Sequence, residues 1–166
     1  MKIDNKGQIS GEYLLLSGVL ILIIMISAVF IVGDQELNIA MSAARNGIND
    51  GIASSSSGIY PKQTYSDYSK DKSMLLIPYS VEIVNVTYSE MGMDNNFNKK
   101  KIQFKVYATS SRDFSKKQLD SIGDRINYNL RKSVALSFNS TASTNKLYNP
   151  VFSPHYVYTT ANVKWV

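Results

Sequence analysis

Cysteine is absent from this 166-residue chain. That excludes disulfides, thiolate metal sites and cysteine nucleophiles. Histidine occurs once, as His155 beside Pro154 in an aromatic stretch. A single imidazole provides neither a His-rich metal cluster nor a histidine pair for acid–base work. No glycine-rich phosphate loop is visible, and no motif joins a nucleophile to a base. The sequence therefore points away from an enzyme and implies no catalytic residue, metal or cofactor. Low hydrophobicity is also missing: 44% of residues are hydrophobic and eleven are tyrosine, which argues for a packed domain rather than a disordered tail.

What the chain has is a modest basic excess and one very long apolar run. The formal net charge is +5. Lys99, Lys100, Lys101 and Lys105 form one basic cluster, and Arg112, Lys116 and Lys117 another, both near tyrosines. Cations with stacking faces suffice to contact nucleic acid backbone. A charged strand edge that discourages sheet aggregation accounts for the same residues more simply, so nucleic acid is not an expected partner.

From Tyr13 to Gly33, twenty-one residues pass without a charge. As a helix rising about 1.5 Å per residue, this run is roughly 30 Å long, the thickness of a bilayer's hydrocarbon core. The predicted span is Tyr13 to Val32. Lys2 and Lys6 precede it, while Asp34 and Glu36 follow and the next basic residue is Arg45. That bias places the amino terminus in the cytoplasm and the rest outside. Ordinary secretory signals are cut after the apolar region, at a small-residue site. Here the most cleavable position, Gly7, comes before it, so cutting there keeps the hydrophobic helix.

Lys6-Gly7 followed by Gln8-Ile9-Ser10-Gly11-Glu12-Tyr13-Leu14-Leu15 resembles the class III signal peptide of archaeal type IV pilin-like proteins, closest to the methanogen group with Gln-x-Ser-x-Glu-aromatic. It differs from archaellins, whose equivalent stretch starts otherwise. The likeness covers about the first thirty residues and says almost nothing about residues 60–166. It implies cleavage between Gly7 and Gln8 by a membrane prepilin peptidase, with Gln8 as the new amino terminus. The helix would serve as an assembly stalk in which Gln8, Ser10, Glu12 and Tyr13 meet other copies or related pilins. Removing residues 1–7 takes away Lys2, Lys6 and Asp4 and lowers the net charge by one.

The expected fold is α+β: a long N-terminal membrane and assembly helix, then a small head with an antiparallel sheet and one amphipathic helix. The expected divisions are a leader at 1–7, the helix segment at 8–57 and an extracellular head at 58–166. Beyond Asp34, Leu37, Met41, Ala44, Ile48 and Ile52 recur at helical spacing, so one continuous helix is read from about Ser10 to Ala53. The Ser54–Ser57 run with Gly58 should end it in a flexible junction. Residues 59–73 read as a loop and Met74 to Tyr88 as a strand. A parity switch at Ile83-Val84 in that strand suggests a bulge, and Pro78 belongs at its start or edge. Residues 89–99 read as a long hairpin loop, and Ile102, Phe104, Val106 and Ala108 as the buried face of an antiparallel strand. Ser115-x-x-Gln118 resembles a capping box, opening a helix whose stripe is Leu119, Ile122, Ile126, Leu130 and Val134. A polar loop at 139–149 precedes one or two final strands in 151–166.

Glu12 is the sharpest single residue. An acidic group near the centre of a membrane helix costs about 2.5 kcal/mol or more, and less at the boundary, where it reaches water. Cleavage before Gln8 creates an ammonium four residues away, and in a filament the amine of one subunit can pair with a neighbour's Glu12. Pairing that exists only on assembly acts as a register device. Ser17, Gly18, Ser27, Ala28 and Gly33 are small enough to let helices approach, although no GxxxG falls inside the apolar run and ordinary membrane-helix composition explains them equally well. Asn85-Val86-Thr87 and Asn139-Ser140-Thr141 are glycosylation sequons. Asn139 lies in a loop and is the better acceptor, whereas Asn85 lies in a strand.

The resulting expectation is a major or minor pilin of an archaeal type IV-like surface filament. It would reside in the membrane with its amino terminus cytoplasmic before processing, and at the cell surface, serving adhesion, afterwards. The alternative is a single-pass membrane-anchored extracellular binding protein that never polymerises. Conventional secretion with cleavage after Ala28 is a third route.

Overall fold

The structure is a computed structural model that describes residues 5–57 and 80–166. The predicted loop at 59–73, the Met74–Tyr79 part of the predicted strand and Pro78 lie outside the described residues. The fold is α+β, with helix α1 (Asn5–Ser57), strands β1 (Val81–Asp94) and β2 (Lys99–Ser110), helix α2 (Lys116–Ser137), and strands β3 (Val151–Phe152), β4 (Tyr156–Thr160) and β5 (Lys164–Trp165). The chain divides into two compact units, one ending at Asn38 and the other running from Ile39 to Val166.

In the first unit, α1 is apolar on every side. Its helix begins at Asn5, earlier than the Ser10 expected, so the residues around Gly7 and Gln8 are already helical. In the second unit the same helix turns amphipathic. Ala40, Ala43, Ala44, Gly47, Ile48 and Gly51 are buried, while Arg45, Asn46, Asn49 and Asp50 are exposed, a stripe set by the 3.6-residue period. The Ser54–Ser57 run does not break the helix, which extends through Ser57. Serine is only mildly unfavourable in a helix, and its punctuating effect needs a partner such as glycine or proline.

β1 and β2 pair antiparallel from Val81↔Ser110 to Asp94↔Lys99, with register shifts between Ile83 and Asn85 and between Glu90 and Met93. The first is the predicted bulge, and it turns Val84 out to 58% exposure. The second corrects the expected long loop at 89–99. Gly92 takes φ 82°, a conformation open to glycine, so pairing resumes past it, and the connection shrinks to a turn closed by Asn98 at φ 50°.

α2 bears the capping box. The Ser115 side chain accepts from the Gln118 amide at 3.4 Å, and Gln118 Oε1 accepts from the Ser115 amide at 2.9 Å. Its other end is a Schellman turn. The Ser140 amide donates to the Ala135 carbonyl at 2.9 Å and the Asn139 amide to Leu136 at 3.2 Å, with Asn139 at φ 51°. Ile122, Ile126, Leu130 and Val134 are buried as the spacing requires; Leu119 is half-buried.

The sheet order is β1-β2-β4-β3, with β5 pairing β2. The expected antiparallel sheet is in fact mixed, because β4 and β5 both run parallel to β2. β3 and β4 form an antiparallel hairpin, and its second arm is the one laid beside β2. The connection from β2 to β4 contains α2 and β3, and its length lets β4 return along β2. Three short C-terminal strands replace the one or two expected. As an inner strand, β4 is buried at three consecutive positions, Tyr156, Val157 and Tyr158. Tyr158 stacks on Phe104 at 5.7 Å and on Phe138 at 5.8 Å between ring centroids, tying β2, β4 and the end of α2 into one core.

Candidate functional site

The candidate site is the apolar half of α1. Every residue from Ser10 to Ala28 is exposed except the half-buried Ser17. Tyr13 is 74% exposed, Leu14 71% and Met25 66%. Leaving a leucine-sized side chain in water forfeits about 1.5–3 kcal/mol, so the exposed runs Tyr13–Leu16 and Val19–Ile26 require an apolar surrounding that the described residues do not supply. The helix is long and apolar enough to cross a membrane, and none of its most apolar stretch is buried. This separates it from the core helix of a globular domain, which has the same composition but is covered.

The two serines inside the run have no unmet polar needs. Ser17 Oγ donates to the Leu14 carbonyl at 3.0 Å and Ser27 Oγ to Ile23 at 2.8 Å. Hydroxyls bonded back to their own helix can sit in hydrocarbon without a polar neighbour. Gly11 and Gly18 have nothing within 4 Å of where a Cβ would lie, so neither is needed by the monomer's own packing.

Gly7 and Gln8 lie on the first turns of α1, and their side chains lie outside the described residues. Ser10, Glu12 and Tyr13 are exposed within about one turn. The structure thus places the predicted processing and assembly residues on one short helical segment at the mouth of the span. Among the described residues it brings no ion-pair partner to Glu12.

Both sequon asparagines are exposed. Asn85 sits at the first bulge of β1, where its Oδ1 accepts from the Val86 amide at 2.8 Å. Asn139 occupies the left-handed position that ends α2, a conformation asparagine tolerates better than most residues. The basic clusters are partly committed to the fold. Lys99 Nζ donates to the Ser153 carbonyl at 2.6 Å and lies 5.9 Å from the Phe152 ring centroid, and Lys101 faces Asp94. Sequence reasoning had no means of seeing that Lys99 is a clamp on the β3–β4 turn, since the two segments are far apart in the chain.

Together the fold and the span define an α+β protein with one helix suited to crossing a membrane. No family model, curated protein or solved structure matches the chain.

Proposed function

We propose that this chain is a structural subunit, major or minor, of an archaeal type IV-like surface filament. It is cut between Gly7 and Gln8 by a prepilin peptidase and polymerises through α1. The observation that carries the reading is the uncovered Ser10–Ala28 stretch of α1, whose only carboxylate, Glu12, stands just beyond a short basic leader. Before processing, lipid covers the span; after it, neighbouring copies do. Exchanging lipid for apolar side chains is nearly neutral, so packing and the pairing of Glu12 with the new amino terminus are enough to tip it. The role is structural rather than catalytic, with the globular unit carried to the cell surface for adhesion.

One observation favours the alternative of a membrane-anchored binding protein that does not polymerise: Ser17 and Ser27 are satisfied within α1, so the span needs no neighbour for its polar groups. The two readings separate on maturation and assembly. The native protein should begin at Gln8 by terminal peptide sequencing. Gly7→Leu should leave the precursor uncut, and Glu12→Gln should be cut but fail to enter filaments seen by electron microscopy. An intact Met1, normal filaments from both variants, or a native polypeptide that begins beyond Ala28 would each overturn the proposal.

A further inference from the structure

A cavity of about 400 Å³ lies wholly within the Ile39–Val166 unit, between the first half of α2 and the C-terminal segment. This is within the usual volume range of small-ligand sites. Its floor forms where the two segments come close: a Cβ on Gly123 would lie 3.3 Å from the Val163 side chain. Asp120, Asp124 and Lys116 border it from the helix, and Asn162 and Trp165 from the opposite side. Trp165 is held by strand pairing to Ala108, and the Val166 amide donates to the Ala108 carbonyl at 2.9 Å. Lys116, Asp120, Asp124 and Trp165 therefore rest on regular elements, and Asn162 and Val163 on the three-residue connection between β4 and β5.

Asn127 also borders the cavity and is only 5% exposed. Its Nδ2 donates to the Ala161 carbonyl at 2.9 Å, whereas its Oδ1 is buried with no hydrogen-bond partner among the described residues. A buried acceptor left unmatched costs about 1–3 kcal/mol, which a donor lodged on the cavity floor would recover.

The lining selects the ligand class by elimination. Asp120 and Asp124 repel an anion, and Lys116 on the same wall offsets part of their pull on a cation. A single metal ion is a poor fit. Among the described residues no three His, Cys, Asp or Glu side chains come together to hold one, and Asp120 and Asp124 are the only carboxylates on this cavity. Three acceptors, an ammonium, a second amide and one indole suit a neutral molecule that has hydroxyl donors and acceptors around an apolar ring face. We infer that this cavity binds a saccharide, with Trp165 against the sugar ring and Asp120, Asn127 and Asn162 on its hydroxyls. The inference does not depend on filament assembly, since every residue of the site lies in one unit.

Trp165 is the only tryptophan among eleven tyrosines in the chain, so emission excited at the red edge, where tyrosine does not absorb, reports on this cavity. The full-length protein, in a zwitterionic detergent without a sugar headgroup, is titrated with glucose, galactose, N-acetylglucosamine and their short oligomers. At least one should change the emission saturably. Asp120→Ala and Asn162→Ala, both at exposed positions, should each weaken that binding about tenfold while leaving the far-ultraviolet circular dichroism unchanged. The inference is overturned if no saccharide gives a saturable change, or if both variants bind as the parent does. A response to calcium alone, reversed by a chelator, would also overturn it by assigning a cation site instead. Each of these results is independent of where the amino terminus is cut.

Discussion

Replacing Gly47 with alanine tests how closely α1 and α2 are required to pack within the Ile39–Val166 unit. The added Cβ would stand 2.4 Å from the Asn129 carbonyl oxygen, 2.7 Å from Ser133 Cβ and 2.9 Å from the Asn129 carbonyl carbon. Two of the three are backbone atoms, so no rotamer change relieves the overlap. Ordinary contact between heavy atoms is about 3.5–4.0 Å, so the helices must part by roughly 1 Å locally. Alanine gains about 0.5–1 kcal/mol over glycine inside a helix. Against this stands an overpacking cost of about 1–3 kcal/mol, with more lost as the buried Ala43, Ala44 and Ile48 are drawn off their neighbours. The net expectation is a destabilisation of about 2 kcal/mol, or roughly 5 to 10 °C in Tm. Gly51→Ala is the internal control. Its new Cβ meets the Asn129 side chain at 3.3 Å, a group that can move, so the change should lie within about 1 kcal/mol of neutral. Urea unfolding of the full chain in micelles, followed by Trp165 emission, measures both. A Gly47→Ala protein as stable as the parent, or a Gly51→Ala protein that is the weaker of the two, would refute the close-approach argument.

Ser115→Ala removes the hydroxyl arm of the capping box, the acceptor for the Gln118 amide, while the Ser115 amide keeps its bond to Gln118 Oε1; it should cost about 1 kcal/mol, read as a lower urea midpoint with an unchanged slope. Tyr158→Ala empties the centre of the aromatic stack against Phe104 and Phe138 and should cost about 3–5 kcal/mol, enough to leave the globular unit largely unfolded by circular dichroism. Asn139→Gly keeps the positive φ at no steric cost and should preserve stability, whereas Asn139→Ala should lose about 1 kcal/mol. If Asn139 carries a glycan in the native host, Asn139→Gly also lowers the intact mass by that glycan while the Tm stays put.

The local elements were legible because each is decided by neighbours in sequence. Periodicity alone marked Ile122, Ile126, Leu130 and Val134 as the buried stripe of α2, and the Ser115–Gln118 spacing marked its start. The parity switch at Ile83-Val84 gave the bulge. The alternation of Ile102, Phe104, Val106 and Ala108 gave the buried face of β2. The uncharged run from Tyr13 to Gly33 is likewise a property of composition and length, and needs no fold to be seen. The hairpin connection was misjudged because Gly92, which reads as a loop residue, serves as a bulge that keeps the ladder going.

Strand direction and the cavity belong to the tertiary structure. Whether β4 lies along β2 or against it depends on which arm of the β3–β4 hairpin is placed beside β2, and no residue pattern in β4 encodes that choice. The cavity joins residues of α2 to Asn162 and Trp165, more than thirty positions away, through the close approach of Gly123 to Val163. Sequence determined where the chain becomes helix, strand or membrane-length apolar rod, since those depend on local periodicity. Only the folded chain decided which distant side chains share a cavity, because that depends on how the sheet is ordered and how near its helix can come.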